Sequence, residues 1–469
     1  MRKCCAELLG FALMCGLLGA CGGGELGEGE LAPLGEDEQA KIRIMFGDSH
    51  YFSQEYGQLF AAQFPHIEVE IADMLAMYDP NAGRTMEERL NRFLEEQRPD
   101  VLMLYGEQYE MLAREGGKLL PLDPVIKQDE FDTEGIHPAV LKLLREPGGG
   151  KLFGLSPEFS GSALYYNLDL FHKHGVEPPT DSMSWEEVFE LAKRFPTDGD
   201  EDSRIYGFEL GADSGLSGLI RTVGSSRGLG LLNPEGTEFN IDTDSWRRVF
   251  LSVLDAASSG AVHVPSRGDE SLEIATIEER DQEEELFVAG RAAMTVKNSY
   301  EAQQMVQAKE RRKQGGAANW GIVTAPVDPR NRNQSADFRL GSVFSVSASS
   351  ENPRAAWEFV KYVNSDEFSR LKSKTMRGSL QSRTKYNSDL DGLSLEPFYK
   401  LEPKVSANDE QAKAPIGFLG TVSELIESEV EAVLSDKKTA DEALKTIQER
   451  GAAEWPKARR AADPESASP

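Results

Sequence analysis

The stretch Pro99-Asp100-Val101-Leu102-Met103-Leu104 decides the fold class of this chain. Four consecutive apolar residues behind a Pro-Asp pair are typical of a short strand that is buried on both faces, as in parallel sheets covered by helices. A strand buried on one face would alternate apolar and polar residues instead. The stretch therefore predicts an inner strand of a parallel sheet.

The segments that precede this strand support a parallel α/β sheet. Residues 41–46 and 67–71 alternate apolar and charged side chains, which predicts two more strands. Helical spacing separates the three strands, with apolar positions at Tyr56, Leu59, Phe60, Phe64, Met86, Leu90, Phe93 and Leu94. The order strand, helix, strand, helix, strand is that of an α/β fold.

The start of the chain predicts secretion and a lipid anchor. Arg2 and Lys3 precede an apolar run over 8–18, which has the length of a signal-peptide core and is too short to span a bilayer. Leu18-Gly19-Ala20-Cys21 resembles the bacterial lipoprotein signal, in which the cysteine is joined to diacylglycerol. An ordinary signal peptide with a chance cysteine is the alternative. We expect a signal peptide over 1–20, lipidation of Cys21 and a position on the extracellular face of the cell membrane.

Cysteine usage and charge exclude several classes of protein. All four cysteines (Cys4, Cys5, Cys15 and Cys21) lie in the signal region, so the predicted mature chain has no disulfide, cysteine-bound zinc or cysteine nucleophile. Residues 21–40 are rich in Gly, Glu and Pro, which predicts a flexible acidic tether. The net charge of −28 disfavours nucleic acid as a partner, because phosphate backbones would be repelled.

Six sequence segments, in this order along the chain, resemble the extracellular solute-binding proteins of ABC importers, the family that includes maltodextrin-binding proteins. The resemblance runs from about Lys41 to Trp455. The segments are Phe60 to Val69, Pro99 to Val101, Gly117 to Leu122, Tyr166 to Glu187 (with Tyr-Asn-x-Asp-Leu-Phe, Pro-Pro and Ser-Trp-Glu-Glu), Phe287 to Met294 and Ala355 to Phe359.

The resemblance implies a two-lobed, periplasmic-binding-protein-like α/β fold with hinge strands and a cleft between the lobes. Lobe one would comprise 41–154 plus 327–377, and lobe two 155–326 plus 378–460, with a frayed tail over 461–469. The three crossings between lobes would fall near Leu155 to Ser162, Trp320 to Pro326 and Gly378 to Ser382. Hinge closure around a ligand is known for periplasmic binding proteins.

The implied function is a solute receptor that delivers its ligand to the permease subunits of an ABC transporter. An oligosaccharide is the expected solute, and a peptide, polyamine or metal ligand on the same fold is the alternative. The receptor would be a monomer that needs no cofactor and catalyses no reaction. A secreted carbohydrate-active enzyme is the alternative from another class, because a glycosidase needs only two carboxylates.

Candidate ligand contacts follow from the chemistry of sugars and from the positions of loops at strand ends and hinges. Sugar rings offer apolar faces and a rim of hydroxyl groups, which aromatic and polar side chains can bind. Tyr300 falls where similar maltodextrin binders place a stacking tryptophan. For each candidate, a surface or hinge residue without a ligand role is the alternative. The candidates are Asp48, Tyr51, Tyr105, Glu107, Glu158, Phe159, Asn298, Tyr300 and Arg339.

Two further predictions concern other parts of the chain. Asp198, Asp200, Asp202 and Glu209 have the spacing of positions 1, 3, 5 and 12 in a calcium loop, so a structural Ca²⁺ is possible there. Ser203 departs from the pattern, since the turn prefers glycine, and a solvated acidic turn is the alternative. Trp185 and Trp357, both at helical positions, are predicted to pack in the two cores.

Overall fold

We describe a computed structural model of the chain. It covers residues 27–35, 38–78, 86–200, 203–211, 215–264, 286–311, 319–374, 379–390, 392–404, 414–415 and 417–462. The predicted Cys21 anchor, the tail over 463–469 and Asp202 lie outside these residues. Within them, no helix has the length and hydropathy needed to cross a bilayer.

The first sheet has four strands in the order β12-β3-β1-β2. Its members are β1 (Ala40–Phe46), β2 (Ile67–Asp73), β3 (Val101–Leu104) and β12 (Val343–Val346). β1 runs parallel to both β2 and β3, whereas β12 is antiparallel to β3. All four residues of β3 are buried, as the apolar run over 101–104 predicts.

The second sheet has five strands in the order β7-β6-β8-β5-β9. They are β5 (Ser162–Asn167), β6 (Phe208–Glu209), β7 (Val262–His263), β8 (Met294–Asn298) and β9 (Trp320–Thr324). β8 is antiparallel to β5, and its last residue, Asn298, lies opposite Ser162. The end of β8 therefore lies beside the segment that enters this sheet from the first one.

A small third sheet links the segments that connect the two larger ones. It has the order β11-β4-β13, formed by β4 (Glu158–Ser160), β11 (Arg339–Leu340) and β13 (Leu380–Gln381). Both outer strands are antiparallel to β4. We refer to it as the hinge sheet. A separate two-stranded pair joins β10 (Gln334–Ser335) to β14 (Glu402–Pro403).

Helices cover the two large sheets, and the buried apolar side chains form a first and a second core, the first of which also includes Ala163 and Tyr165 of β5. Trp357 is buried in the first core and Trp185 in the second, so the predicted packing role of both is confirmed. The α-helices are α1 (Ser49–Phe52), α2 (Gln58–Gln63), α3 (Met86–Gln97), α4 (Gly106–Glu115), α5 (Asp123–Gln128), α6 (Pro138–Arg145), α7 (Leu168–His174), α8 (Trp185–Ala192), α9 (Gly215–Ser226), α10 (Asp244–Ser258), α11 (Ser299–Arg311), α12 (Pro353–Val363), α13 (Asp366–Lys372), α14 (Phe418–Leu434) and α15 (Ala440–Ala462). Among the described residues there are also a π-helix (Ser53–Gly57) and three 3₁₀ turns (Met74–Tyr78, Thr384–Tyr386 and Glu396–Phe398).

The second crossing lies later in the chain than the sequence predicts. Residues 320–324 form β9 and pair with β5, so they belong to the second sheet. Arg332 then forms an ion pair with Glu187 at the start of α8, at 2.8 Å. The strand that pairs with β4 is β11, at Arg339–Leu340. The crossing therefore falls near residue 339, while the other lobe limits stay predictions.

Candidate functional site

The two faces of the hinge sheet differ in character. Residues directly opposite each other on neighbouring strands share a face, and side chains along one strand alternate between faces. Leu340 and Leu380 both lie opposite Phe159, so these three share one face. Phe159 is fully buried there and stacks on Phe338, with ring centroids 4.7 Å apart. Phe159 thus packs in the core and does not face the cleft, contrary to its prediction as a ligand contact.

The opposite face of the hinge sheet carries Glu158. Its neighbours on this face are Gln381 of β13 and, two residues along β4, Ser160, which lies opposite Arg339. The predicted candidates Glu158 and Arg339 therefore lie on one face, with Glu158 buried and Arg339 exposed. This polar face lies at the junction of the two lobes.

Glu158 is a buried carboxylate with one unsatisfied oxygen. Burial raises the pKa of Glu158 above its ordinary value, and a hydrogen bond with Ser379 and the charge of Lys372 oppose part of that rise. The Oε2 atom is buried and has no hydrogen-bond partner. Gly341 makes room for this side chain, because a Cβ atom at Gly341 would lie 2.6 Å from Cγ of Glu158.

Tyr51 lies beside this carboxylate on the first-lobe side. Burial raises the pKa of Tyr51, and so do the nearby charges of Glu55 and Glu158 and the neighbouring Tyr105. Its ring rests near the buried Phe46, with centroids 6.1 Å apart. The backbone amide of Tyr51 donates a 2.7 Å hydrogen bond to Oδ1 of Asp48, which caps α1. Asp48, predicted as a ligand contact, thus uses this oxygen to position Tyr51.

Tyr300 approaches the same carboxylate from the second lobe. Burial raises the pKa of Tyr300, as does the charge of Glu158, and the Tyr300 hydroxyl is hydrogen-bonded with Ser379. The backbone amide of Tyr300 donates a 2.9 Å hydrogen bond to Oδ1 of Asn298, and the amide of Glu301 donates to the same atom at 3.2 Å. Asn298 was also predicted as a ligand contact. Its Oδ1 atom caps the first turn of α11, the helix that carries Tyr300.

Tyr105 completes the aromatic group from the end of β3. Its backbone amide donates a 3.1 Å hydrogen bond to Oε1 of Gln108, which holds the residue at the start of α4. The ring is 51% exposed, compared with 56% for Tyr51 and 43% for Tyr300. Glu107 follows in the first turn of the same helix and is half-buried. The structure therefore brings Tyr51, Tyr105, Tyr300 and Glu158 into one group, and their role in ligand binding stays a prediction.

Sequence reasoning did not find an ion pair that borders this group. Nζ of Lys372 lies 2.5 Å from Oε2 of Glu55, and the Lys372 side chain is almost fully buried. The same ammonium lies 5.8 Å from the ring centre of Tyr56, a buried tyrosine that is hydrogen-bonded with Ser342. Glu55 falls one helical turn after Tyr51, so its position in the sequence could have indicated a place beside that tyrosine. Lys372 is 317 positions away, so no local pattern connects the two.

The predicted calcium loop is only partly described. Oδ1 of Asp200 accepts hydrogen bonds from the amide and hydroxyl of Ser203, which forms a tight turn. The carboxylate of Glu209 lies in β6 and accepts the backbone amides of Leu286 and Phe287, both at 2.8 Å. Among the described residues there is no group of three or more His, Cys, Asp or Glu arranged to hold a metal. Calcium binding stays a prediction.

Comparison with known proteins defines the family. Residues 50–368, more than half of the chain, match the family described as bacterial extracellular solute-binding protein. The sn-glycerol-3-phosphate-binding periplasmic protein UgpB of Brucella abortus is 26% identical over 128 residues, which span 27% of this chain and only 29% of that protein. UgpB of Escherichia coli K12 is 22% identical over 419 residues, covering 84% of this chain and 87% of that protein.

A solved structure shows the same architecture. The sugar-binding protein MalE from Xanthomonas citri superposes with a TM-score of 0.63 at 17% identity, covering 89% of this chain and 98% of that one. The chain therefore belongs to the bacterial extracellular solute-binding protein family, and the predicted two-lobed fold is confirmed. In this fold the hinge sheet connects the lobes, and Glu158 on it lies near Tyr51 and Tyr300.

Proposed function

We propose that the protein is a receptor for an oligosaccharide, which it binds between its lobes and delivers to an ABC transporter permease. The observation that carries this proposal is the convergence of Tyr51, Tyr105 and Tyr300 beside Glu158. Exposed aromatic rings bind the apolar faces of sugar rings, and carboxylates accept hydrogen bonds from hydroxyl groups.

The charges around the site favour a neutral solute over an anionic one. The ammonium of Lys372 is already paired with Glu55, and the carboxylate of Glu158 shares its face of the hinge sheet with the guanidinium of Arg339. Charges balanced in this way leave little net attraction for a phosphate group, although UgpB relatives are named for a phosphorylated ligand. An organic cation such as a polyamine is the second candidate, because tyrosine rings and carboxylates also bind ammonium groups.

A ligand panel tests the proposal. We would record thermal unfolding and titration calorimetry of the full-length protein with maltotriose, cellotriose, spermidine, sn-glycerol 3-phosphate and a tripeptide. Saturable binding of one trisaccharide at 1:1 stoichiometry supports the proposal. Binding of spermidine alone would select the polyamine alternative, and binding of sn-glycerol 3-phosphate alone would overturn the charge argument.

The absence of catalysis is part of the same proposal. The relatives are solute-binding proteins, and a receptor returns its ligand unchanged. Incubating the protein with each bound saccharide and separating the products by chromatography measures this directly. Hydrolysis of the ligand that disappears in a Glu158→Gln variant would identify a carbohydrate-active enzyme instead.

We also propose that Cys21 carries the lipid that keeps the receptor at the membrane. The support is the lipoprotein signal Leu18-Gly19-Ala20-Cys21 alone. A tether over 21–40 would let the lobes move above the bilayer surface. Metabolic labelling with radioactive palmitate should mark the wild-type protein and leave a Cys21→Ser variant unlabelled. Equal labelling of the two proteins would contradict the anchor.

A further inference from the structure

Part of the chain in front of β1 is held against the first lobe. The backbone amide of Leu31 donates a 2.9 Å hydrogen bond to Oε1 of Gln128, at the end of α5, and Nε2 of Gln128 donates a 2.8 Å hydrogen bond to the carbonyl oxygen of Leu31. The side-chain amide thus pairs with the chain as a neighbouring strand would. We call residues 27–35 the strap. The prediction of a flexible tether over 21–40 is wrong for this stretch.

Apolar contacts and a close fit support these two hydrogen bonds. Leu31 and Leu34 are half-buried and pack against the first core, whereas the two residues between them are exposed. Gly29 has a φ of +83° and lies directly against Pro124 of α5, since a Cβ atom at Gly29 would be 2.9 Å from Cγ of the proline. Only glycine combines this backbone conformation with such a close approach. The strap is therefore fitted to the surface of α5.

The helix that receives the strap is firmly fixed in the first lobe. Asp129 directly follows Gln128, and its Oδ2 atom accepts hydrogen bonds from the Trp357 indole at 2.9 Å and the Lys361 ammonium at 2.7 Å. The guanidinium of Arg354 donates to both carboxylate oxygens, each at 2.9 Å. All three donors belong to α12, a helix of the first core. A pull on the strap would therefore act on the first lobe as a whole.

The strap lies toward the edge of the first sheet that is opposite the tyrosines. It leads into Ala40, the first residue of β1, at the amino ends of the parallel strands. Asp129 binds the first turn of α12, which follows β12, and Val346 at the end of β12 pairs with Val101 at the start of β3. The tyrosines of the first lobe follow the carboxyl ends of β1 and β3.

We infer that the strap and α5 form the membrane-facing side of the anchored receptor and that its cleft edge is turned toward the medium. This inference rests on the proposed lipidation of Cys21. Gly27 comes six residues after Cys21, and a chain of that length reaches at most about 20 Å, whatever its course. The docked strap therefore keeps the α5 side of the first lobe close to the bilayer. The cleft edge lies at the other end of β1, about 23 Å further on.

Release of the strap would change the reach of the receptor. The free connection would then run from Cys21 to Ala40, nineteen residues, and could extend to about 65 Å. That length lets the lobes turn until the cleft faces a permease in the same membrane. The docked strap thus defines an orientation for capture of the solute, and the released strap an orientation for its delivery.

Proteolysis tests whether the strap is docked. A glutamate-specific protease cuts after Glu30, at the bond that contains the Leu31 nitrogen held by Gln128. Mass spectrometry would follow this cut in the full-length protein in detergent. Gln128→Ala should be cut about tenfold faster, because two hydrogen bonds are lost while the cleaved bond is unchanged. Lys127→Ala, which replaces the exposed neighbour on α5, is the matched control and should be cut like the wild type.

Energy transfer to the bilayer tests the orientation. Fluorophores would be attached at Lys127→Cys, beside the strap, or at Leu75→Cys, a 57% exposed position that follows β2 at the cleft edge. The lipidated proteins would be placed in phosphatidylcholine vesicles that contain a rhodamine-labelled lipid. Transfer from Lys127→Cys should be stronger by about twofold or more, because the short connection holds that position near the bilayer. Adding Gln128→Ala should reduce the difference.

The outcomes separate this inference from the proposals on which it rests. Equal cutting of Gln128→Ala and the wild type would show that the strap is not docked through Gln128 and would overturn this inference alone. Equal transfer from the two labelled positions would overturn the orientation and leave the lipid anchor in place. A wild-type protein that takes up no palmitate would overturn the anchor and this inference together.

Discussion

The two edges of the cleft are built differently. The first-lobe edge presents Tyr105, Tyr51 and Leu75, all exposed, after three neighbouring parallel strands. Within the described residues, the second-lobe edge presents Tyr300 as its exposed large apolar side chain, on the first turn of α11. Under the proposed function, the first lobe would provide an extended platform and the second lobe would add one aromatic contact.

The two edges nevertheless share one local device. Asp48 in the first lobe and Asn298 in the second each accept a hydrogen bond from the backbone amide of the tyrosine that follows. Each side chain satisfies an amide that the first turn of a helix would otherwise leave unpaired. Positioning of the aromatic side chain is therefore local in both lobes, whereas the meeting of Tyr51 and Tyr300 depends on the hinge.

The largest expected effect tests whether the two lobes are separate cores. Trp357→Ala removes a fully buried ring from the first core and should cost about 3–5 kcal/mol in the free energy of unfolding. The Trp357 indole also donates to Asp129, and this hydrogen bond would be lost too. Hydrogen exchange should accelerate in peptides from β1 to β3 and remain slow in α8, α9 and α10, whose buried residues belong to the second core. Trp185→Ala should give the reverse pattern, and equal acceleration in both lobes would contradict separate cores.

The next effect compares the aromatic contacts of the two lobes. Tyr300→Ala should weaken binding of the best trisaccharide by about 1–3 kcal/mol, because an aromatic anchor is lost. Tyr51→Ala should cause a smaller loss, since Tyr105 beside it keeps part of the platform. Titration calorimetry measures both, and the control is Leu251→Ser, which replaces an exposed leucine on α10. A larger loss for Tyr51→Ala would assign the main contact to the first lobe, and unchanged affinity in both would place the cleft elsewhere.

A smaller effect should come from the two helix caps. Asp48→Ala and Asn298→Ala each remove a side-chain acceptor at a helix start, which costs about 1 kcal/mol of stability. Because each cap positions one tyrosine, we expect a modest loss of ligand affinity as well. Asp48→Asn keeps an acceptor oxygen and should retain most of both quantities. Denaturant unfolding and calorimetry would show the difference, and a loss in Asp48→Asn as large as in Asp48→Ala would point to direct ligand contact.

The pH dependence of stability should reveal the buried Glu158. Its pKa is raised above 4.5 by burial, so the folded state holds the proton more tightly than the unfolded state does. The contribution of Glu158 to the free energy of unfolding is fully present below pH 4.5. It is lost as the pH rises through the raised pKa of the folded state. Glu158→Gln should therefore melt higher than wild type at pH 7 and similarly at pH 4. Parallel melting curves across this range would contradict a raised pKa.

The smallest predicted effect concerns calcium. If the loop over 198–209 binds Ca²⁺, millimolar calcium should raise the melting temperature of the wild type and not that of Asp200→Ala. Magnesium serves as the ionic control, because it prefers smaller octahedral sites. No calcium-dependent rise in the wild type would leave the loop as a solvated acidic turn. Such a result would leave the comparison of the cleft edges unchanged. Glu209 would keep its hydrogen bonds from the backbone amides of Leu286 and Phe287.

Local patterns predicted much of the fold because they report local physics. The apolar run over 101–104 predicted a strand that is indeed buried throughout. The Ser-Trp-Glu-Glu segment forms a capping box at the start of α8, in which Ser184 and Glu187 make both hydrogen bonds. The second crossing was predicted too early, because the strand over 320–324 gives no sign of whether it pairs with β5 or with the hinge strand β4.

Predictions of individual site residues were less uniform. Tyr51, Tyr105, Tyr300 and Glu158 do come together, since strand ends and hinges were reasonable places to look. Phe159 lies on the core face of the hinge sheet, and its neighbour Glu158 lies on the opposite, polar face. Side chains along a strand alternate between the two faces, but the sequence does not say which face a given residue occupies. Leu75 and Lys372 were missed, because an exposed leucine and a buried lysine have no distinctive local pattern.

The sequence by itself determined the α/β class, because periodicity depends on residues close together in the chain, and six segments in their order along the chain carried the resemblance to the family. Only the tertiary structure decided which side chains share the cleft. Glu55 and Lys372 are 317 positions apart, and Tyr51 and Tyr300 belong to different lobes. Their proximity depends on how the hinge sheet brings β4, β11 and β13 together. Long-range pairing of this kind is set by the whole fold and is not written in any one segment.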